Sequence, residues 1–413
     1  MADENLAPGD GHRDGDGDGD DSGAGYGAAL GRAVLGGAAT QGRRVAVPHA
    51  ADPSARAEVV RFGTRRTALT AERVPALREL FGLASLPLAE ARVEVELRGV
   101  PTAVVNAVRR TVLDEMRGLA LQADGFDTEK TTEVFMLPQF VLQRIALIPL
   151  RARVPAEVVE SLRFRLEASN KGEGVMSVYA GDMTLEAGEL TEPLFNPTFR
   201  LATLQPGKTL AVHGIRVVAG HGRDDAAFAV ARCAAYRHLD IPQHPEAETH
   251  DAAGAAVDDS GYKVSCLEAD PRHHLLTAVL PATTAACDAE ARAVFAEACA
   301  CVRDRLRLAA AAFQGAPAGR QAAYAEVRLE NGLSEGVLRI PGETHTVGEV
   351  IKRAVYDLTP DLASISYMVV PHENRLELTL RCAGGAAAPL QAGLRHSAET
   401  FETLRLGMLA APS

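Results

Sequence analysis

The C-terminal part of the chain constrains the fold most strongly, because strand and helix patterns follow one another there in a readable order. Residues 324–330 and 336–340 flank Asn331-Gly332, a dipeptide typical of the tight turn in a β-hairpin. Residues 364–370 form a third strand pattern, and residues 375–382 alternate apolar with polar side chains at the period of a half-buried strand. This part of the chain therefore predicts a hairpin followed by two further strands.

Two helices are predicted in the same part of the chain. Thr346-x-x-Glu349 has the spacing of a capping box, which predicts a helix start there, and Thr359-Pro360 closes that helix. The second helix, over residues 388–409, carries an apolar seam with spacings of four and three residues: Leu390, Leu394, Phe401, Leu404 and Met408. Such a seam needs another surface to cover it, commonly a second helix.

An amphipathic helix is predicted over residues 102–117, directly after a strand pattern at 92–98. Asp114 is placed to pair with Arg110 four residues earlier. The polar face of this helix carries Asn106, Arg109 and Arg110. Such a face is usually solvated, but arginine favours interfacial pairing, so a protein-binding face is an equal alternative.

The middle of the chain is less regular. Residues 131–150 are mostly apolar and end in the segment 143–150, which contains Arg144 and Pro149. The remaining patterns predict several short strands over 160–218, a polar loop over 238–261 and a strand over 262–267.

A long helix is predicted to follow Pro281 and to run to about residue 313, with a buried stripe of Ala291, Phe295, Ala298, Val302 and Leu306. Glycine and proline in 314–319 interrupt the helical pattern, so residues 314–323 are the best candidate for a linker.

The charge of the chain lies largely in its first residues. Eight acidic residues against one arginine give residues 1–22 a charge of −7 out of −11 for the whole chain. Residues 1–25 are predicted to be a disordered acidic tail, and no structure is assigned to the extension over 26–91. The acidity argues against strong direct DNA contact, and the lack of tryptophan argues against a base-stacking platform.

The remaining composition indicates an intracellular protein without a membrane span. None of the six cysteines forms a Cys-x-x-Cys pair, and no apolar run reaches the length of a span. The histidines and cysteines show no ligand spacing, so neither a metal nor another cofactor is predicted.

The segment 332–336 matches the G-x-S-x-G pattern of a hydrolase nucleophile, with Ser334 at its centre. Because strand patterns lie on both sides of it, a hairpin loop is favoured over the strand-turn-helix that the nucleophile needs. A hydrolase using Ser334 stays a minor alternative.

Two sets of motifs carry a resemblance to a known family. Asn106-x-x-Arg109-Arg110, followed by Gln143-Arg144-Ile145-Ala146-Leu147-Ile148-Pro149-Leu150, resembles the N-x-x-R-R and H-R-x-G-L-I-P-L segments of RNA polymerase assembly subunits. These are bacterial alpha, archaeal D and the third-largest subunit of polymerase II. The segments 175–177 and 220–228 are similar to further motifs of the same subunits.

The C-terminal part resembles archaeal L and the eleventh subunit of polymerase II. Glu343-Thr344-His345-Thr346-Val347-Gly348 matches E-x-H-T-x-G, and Tyr367-x3-Pro371-His372 matches Y-x-x-P-H with one residue more between the two parts. The two resemblances together imply that both partners of a normally heterodimeric platform are fused in one chain, an arrangement similar to polymerases of large nucleocytoplasmic DNA viruses. A linker makes such pairing intramolecular and raises the effective concentration of the partners.

The resemblance implies an α+β fold with two alpha-like dimerisation modules that form an intramolecular pseudo-dimer rather than a homodimer. The first module would combine 92–152 with 260–313, interrupted by a β-rich insert over 153–259. The linker over 314–323 would lead to the second module over 324–413.

The implied function is that of a non-catalytic platform on which two large catalytic RNA polymerase subunits assemble, together with a small zinc-bearing subunit. The alternative is a stand-alone protein-binding adaptor with the same fold. The complex would reside in the host cytoplasm or nucleus, or be packaged in a virion. The implied interface residues are Asn106, Arg109, Arg110, Arg144, Pro149, His345, Thr346, Gly348, Pro371 and His372.

Overall fold

The structure is a computed structural model. It describes residues 56–67, 88–132, 138–152, 154–190, 192–239, 272–283, 286–314, 322–329, 331–370 and 372–412. The acidic tail, the strand predicted at 262–267 and most of the predicted linker and loop lie outside these residues. No helix in the described part is long and apolar enough to cross a membrane.

The strands follow this chain order: β1 Glu58–Thr67, β2 Leu88–Arg98, β3 Arg117–Gln122, β4 Gly125–Phe126, β5 Arg163–Ser169, β6 Met176–Tyr179, β7 Met183–Ala187, β8 Arg200–Leu204, β9 Thr209–His221, β10 Cys233–His238, β11 His273–Thr283, β12 Ala323–Arg328, β13 Ser334–Pro341, β14 Leu362–Val370 and β15 Arg375–Cys382. The α-helices are α1 Thr102–Arg110, α2 Pro138–Ala146, α3 Ala156–Ser161, α4 Cys287–Ala310, α5 His345–Leu358 and α6 Ala387–Ala410. The fold is therefore α+β, as predicted.

The strands of the described residues form three larger sheets and one strand pair, all antiparallel. The first sheet has the order β1-β2-β11-β10, and the third has the order β12-β13-β15-β14. The second sheet has the order β3-β9-β5-β7, with β4 also paired to β9, and β6 pairs with β8.

One hydrophobic core joins the first and third sheets to α1, α4, α5 and α6, so its side chains come from sequence positions as far apart as Val59 and Met408. Phe62 of β1 and Phe295 of α4, for example, meet edge to face with ring centroids 5.6 Å apart. A separate core fills the second sheet and includes Ile145, Leu166 and Val212. The described residues thus pack into two separate hydrophobic cores, of which the first contains more residues.

Helices α4 and α6 pack along each other in opposite directions. Arg292, near the start of α4, donates to the carbonyl oxygen of Ala411 at 2.8 Å, whereas Arg303, further along α4, pairs with Glu402. Phe401 and Leu404 of the predicted seam are fully buried. The apolar seam of α6 is therefore covered by the other long helix.

The helix predicted over 102–117 changes character before its end. The α-helix stops at Arg110, and Thr111–Glu115 continue as a wider π-helical turn. Because a π-turn aligns residues five apart, Arg110 pairs with Glu115 at 3.3 Å. The predicted pair of Arg110 with Asp114 is wrong.

The capping box predicted at Thr346 is also wrong. The N-cap is Thr344, whose hydroxyl accepts a hydrogen bond from the backbone N–H of Thr346, so α5 begins two residues earlier than the motif suggested. Because Thr344 caps the helix, the Thr346 hydroxyl does not act as the cap and instead donates to Glu115.

Sheet membership divides the chain at other positions than the predicted module boundaries. β1 lies in the extension over 26–91 yet pairs with β2, and β10 lies within 153–259 yet joins the first sheet. β3 and β4, expected in the first module, join the second sheet because the long strand β9 pairs with both.

Candidate subunit interface

A buried carboxylate lies where α1 ends. Glu115 closes the π-turn and receives hydrogen bonds from two threonines near the start of α5, Thr346 and, at 3.4 Å, Thr344. Arg305 of α4 donates to its other oxygen at 2.6 Å, and Arg110 donates to the first at 3.3 Å. Glu115 therefore links α1, α4 and α5.

Arg305 also binds a second buried carboxylate. Its Nε and Nη2 atoms donate to the two oxygens of Glu343 at 3.0 and 2.6 Å, which is the bidentate geometry of a strong ion pair. Two carboxylates, Glu115 and Glu343, thus face two guanidinium groups, Arg305 and Arg110. The charges of this group, which we call the Glu115 cluster, balance.

Electrostatics keep the Glu115 cluster ionised. Burial alone would raise the pKa of Glu115, but the charge of Arg305 and the hydrogen bonds from Thr346 and Arg305 leave that pKa below its ordinary value. Burial would likewise lower the pKa of Arg305, but Glu343 and Glu115 raise it above its ordinary value. The cluster is therefore a network of ion pairs between parts of the chain that are distant in sequence.

A second group of predicted residues gathers around Tyr367 of β14. The ring of His345 lies edge-on at 5.8 Å from the Tyr367 ring, and the Lys352 ammonium lies 5.5 Å from its centroid. Gly348 allows the close approach, because a Cβ there would lie 2.6 Å from the tyrosine ring. Burial and the neighbouring Glu349 raise the pKa of Tyr367.

The predicted polar face of α1 is half-exposed. Arg109 donates through Nε to Asn106 at 2.9 Å, which holds its guanidinium along the helix. The Arg110 side chain is 36% exposed, so it reaches from the surface to the buried Glu115. The structure therefore places Asn106 and Arg109 outside the Glu115 cluster and Arg110 across its boundary.

Arg144 and Pro149 lie apart from that cluster, in the layer of the second sheet. Arg144 is in the last turn of α2, on a face that also exposes Phe140 and Leu147 by 51% and 44%. Pro149 and Leu147 line a cavity of about 600 Å³ together with Asp114, one of whose carboxylate oxygens is buried without a hydrogen bond. Burial, and then Glu115, raise the pKa of Asp114.

The remaining predicted interface residues differ in their exposure. Thr346 and Gly348 are buried within the chain, so an interface that they serve directly is internal. His372 is exposed in the turn between β14 and β15, with a left-handed φ of 67°. Pro371 lies outside the described residues.

Glu115 and Arg305 were missed by the sequence reasoning. The signal for Arg305 was present, because it stands three residues after Val302 and four before Ala309, both buried on the same side of α4. A charge inside an apolar stripe needs a buried partner. No comparable signal marked Glu115 as that partner.

Ser334 does not stand at a strand-to-helix turn. It begins β13 and pairs in register with Arg328 on one side and Cys382 on the other. This position lacks the exposed elbow of a hydrolase nucleophile. The described residues also contain no group of three or more histidine, cysteine or acidic side chains that could hold a metal.

Comparison with known proteins gives a consistent result, although no protein-family model matches. The chain is similar to the DNA-directed RNA polymerase RPB3-11 homolog of African swine fever virus, at 33% identity over 310 residues. These residues cover 74% of this chain and 83% of the viral protein, and the homolog of a second isolate gives the same figures. The DNA-directed RNA polymerase subunit Rpo3 of the archaeon Pyrococcus furiosus is 28% identical over 140 residues, 33% of this chain and 51% of that protein.

Proposed function

The chain belongs to the family of RPB3-11 homologues, subunits of DNA-directed RNA polymerase, and from this premise we propose that it is the platform on which that polymerase assembles. The observation that carries the proposal is the 33% identity to the viral subunit over three quarters of the chain. The stand-alone adaptor is not favoured, because the relatives are polymerase subunits.

In this proposal, the two halves of the chain pair as an intramolecular pseudo-dimer. Three contacts support the pairing: the packing of α4 on α6, the Glu115 cluster and the single core that spans both halves. The second sheet, which has its own core, is proposed to be the insert in the first module. We propose that this insert spans residues 117–221 instead of 153–259, and the membership of β3, β4, β5, β7 and β9 in one sheet supports these bounds.

The partners in this proposal are the two large catalytic subunits and a small zinc-bearing subunit. One large subunit would bind Asn106 and Arg109 of α1 together with the exposed α2 face of Phe140, Arg144 and Leu147. These residues offer charge beside apolar area, which suits a protein interface. The second module would present His345 and the turn with His372 to the other large subunit.

The nucleotidyl-transfer chemistry would then belong to the large subunits, and this chain would have no catalytic site of its own. The proposed residence is intracellular, in the host cytoplasm or nucleus, or in the virion. The role is structural: it holds two partners at a fixed separation.

Reconstitution tests the proposal. Arg109→Ala combined with Arg144→Ala should weaken binding of a large subunit by about tenfold or more, because interfacial arginines commonly carry binding energy. Arg110 is left unchanged, since it also supports Glu115. Co-purification with the polymerase subunits and titration of one large subunit provide the measurement.

The matched control is Lys171→Ala, in the exposed segment between β5 and β6, which should bind as the parent does. Circular dichroism should show both variants folded. If the double variant assembles as well as the parent, the assigned docking face is wrong. If no large subunit co-purifies with the parent chain, the platform role itself fails.

A further inference from the structure

Strand β14 forms an open edge of the third sheet, since it ends the order β12-β13-β15-β14. Its nine residues, Leu-Ala-Ser-Ile-Ser-Tyr-Met-Val-Val, include no charged side chain and no proline. Among the described edge strands longer than four residues, it alone lacks charge; β1, β3, β7, β8, β10 and β12 each carry arginine or glutamate.

An uncharged free edge is unusual, because unpaired backbone groups invite pairing with other chains. Proteins normally protect such edges with charges, prolines, bulges or short strands. β14 has a bulge only at its start, between Leu362 and Ser364. The six residues 365–370 remain regular, which gives an edge about 20 Å long.

Both faces of the sheet beside this edge expose a large apolar side chain. On the face that α5 covers, Gly348 and Lys352 contact Tyr367. Tyr356 lies on the same side of α5, four residues after Lys352, and is 49% exposed. On the opposite face, Met368 of β14 is 55% exposed. A strand added to β14 would therefore find backbone partners along its length and apolar contacts on both faces.

We infer that the β14 edge receives an extended, uncharged segment of the large subunit proposed to bind the second module, which adds a fifth strand to the third sheet. This is β-strand addition, in which main-chain hydrogen bonds supply affinity and alternate side chains supply specificity. The inference rests on the proposed function, because that function supplies the partner.

Continuity with the candidate interface favours a polymerase subunit over a second copy of this chain. Tyr367, in the middle of β14, touches His345, and His345 follows Thr344, whose hydroxyl donates to Glu115. His372, exposed in the turn that follows β14, lies on the surface proposed above for the second large subunit. The free edge thus lies between residues already assigned to that surface.

Hydrogen exchange of the full chain, alone and within the purified polymerase, tests the inference. The β14 amides that point away from β15 should exchange rapidly in the free chain and at least tenfold more slowly in the complex. The charged edge strand β1 provides an internal reference whose exchange should change little.

A matched pair of variants tests the same edge by affinity. Ser366 of β14 and Thr379 of β15 lie directly opposite each other on one face. Ser366→Lys places a charge at the free edge and should weaken binding of the large subunits about tenfold. Thr379→Lys places the same charge one strand further in and should have little effect.

The outcomes are distinguishable. Protection of α1 in the complex with unchanged exchange in β14 would overturn the inference and leave the proposed function intact. Concentration-dependent protection of β14 in the free chain, with dimers in light scattering, would assign the edge to a second copy and overturn it too. If no amide of the chain exchanges more slowly in the complex than in the free chain, the proposed function is refuted instead.

Discussion

At the scale of single residues, the clearest consequence of burial concerns His274. It occupies a core-facing position near the start of β11, fully buried, with Nε2 3.2 Å from the Thr102 hydroxyl and its ring centroid 4.7 Å from that of His238. Burial, then the neighbouring His238 and His273, lower the pKa of His274 to about 4. The folded protein therefore holds this imidazole neutral.

The stability of the chain should fall as the pH falls from about 6.5 towards 4. In that window His274 is protonated in the unfolded chain and neutral in the folded chain, so protonation lowers the free energy of the unfolded state relative to the folded state. Above the window the contribution of His274 to the free energy of unfolding is constant. Between pH 7.5 and 5 we expect a loss of about 2 kcal/mol, measured by urea unfolding. His274→Leu should flatten the slope of the free energy of unfolding against pH, whereas His396→Leu, at an exposed site, should leave that slope unchanged. An unchanged slope in His274→Leu would contradict the assignment.

At the scale of elements, a close approach between α5 and the third sheet depends on Gly348. A Cβ at this position would lie 2.6 Å from Cδ2 of Tyr367 and 2.8 Å from Cδ1 of Leu376. Helix propensity alone favours alanine over glycine by about 1 kcal/mol. Packing opposes that gain, because the helix would have to move away from the sheet.

Gly348→Ala should therefore destabilise the protein by roughly 1 to 3 kcal/mol, despite its better helix propensity. Thermal or urea unfolding measures the change. Gly384→Ala is the control, since a Cβ there meets nothing within 4 Å and the change should be nearly neutral. A higher unfolding midpoint for Gly348→Ala would show that propensity prevails and that the helix adjusts freely.

At the scale of the whole molecule, the two halves depend on contacts remote in sequence. Arg305 joins Glu115 and Glu343, which precede and follow the predicted linker, and α4 lies along α6. Removing Arg305 would leave two buried carboxylates without their main counter-charge, which costs about 3 kcal/mol or more.

Cutting the chain at a protease site inserted after residue 318 should leave the two fragments associated. Pairing is then bimolecular, so dilution should separate them, and size exclusion over a concentration series measures the affinity. Arg305→Met should weaken this affinity about 100-fold, whereas Arg307→Met, at an exposed site on the same helix, should not. Immediate separation of the unmodified fragments would contradict the pairing.

The sequence alone determined the strands and helices of the C-terminal part, the long helix α4 and the family. Alternation, turn dipeptides and apolar seams predicted β13, β15, α4 and α6 close to their observed bounds, because these signals depend on neighbours in the chain. Motif order and spacing identified the relationship to polymerase assembly subunits, and the identity to the viral subunit confirms it.

Only the tertiary structure decided which charges meet and which strand remains open. Arg110 pairs with Glu115 because the helix widens into a π-turn, and Thr346 reaches Glu115 because Thr344 caps α5. The partner of Arg305 and the free edge of β14 depend on residues far apart in sequence. Local pattern fixes where a helix or strand forms, whereas the pairing of distant groups depends on how those elements pack.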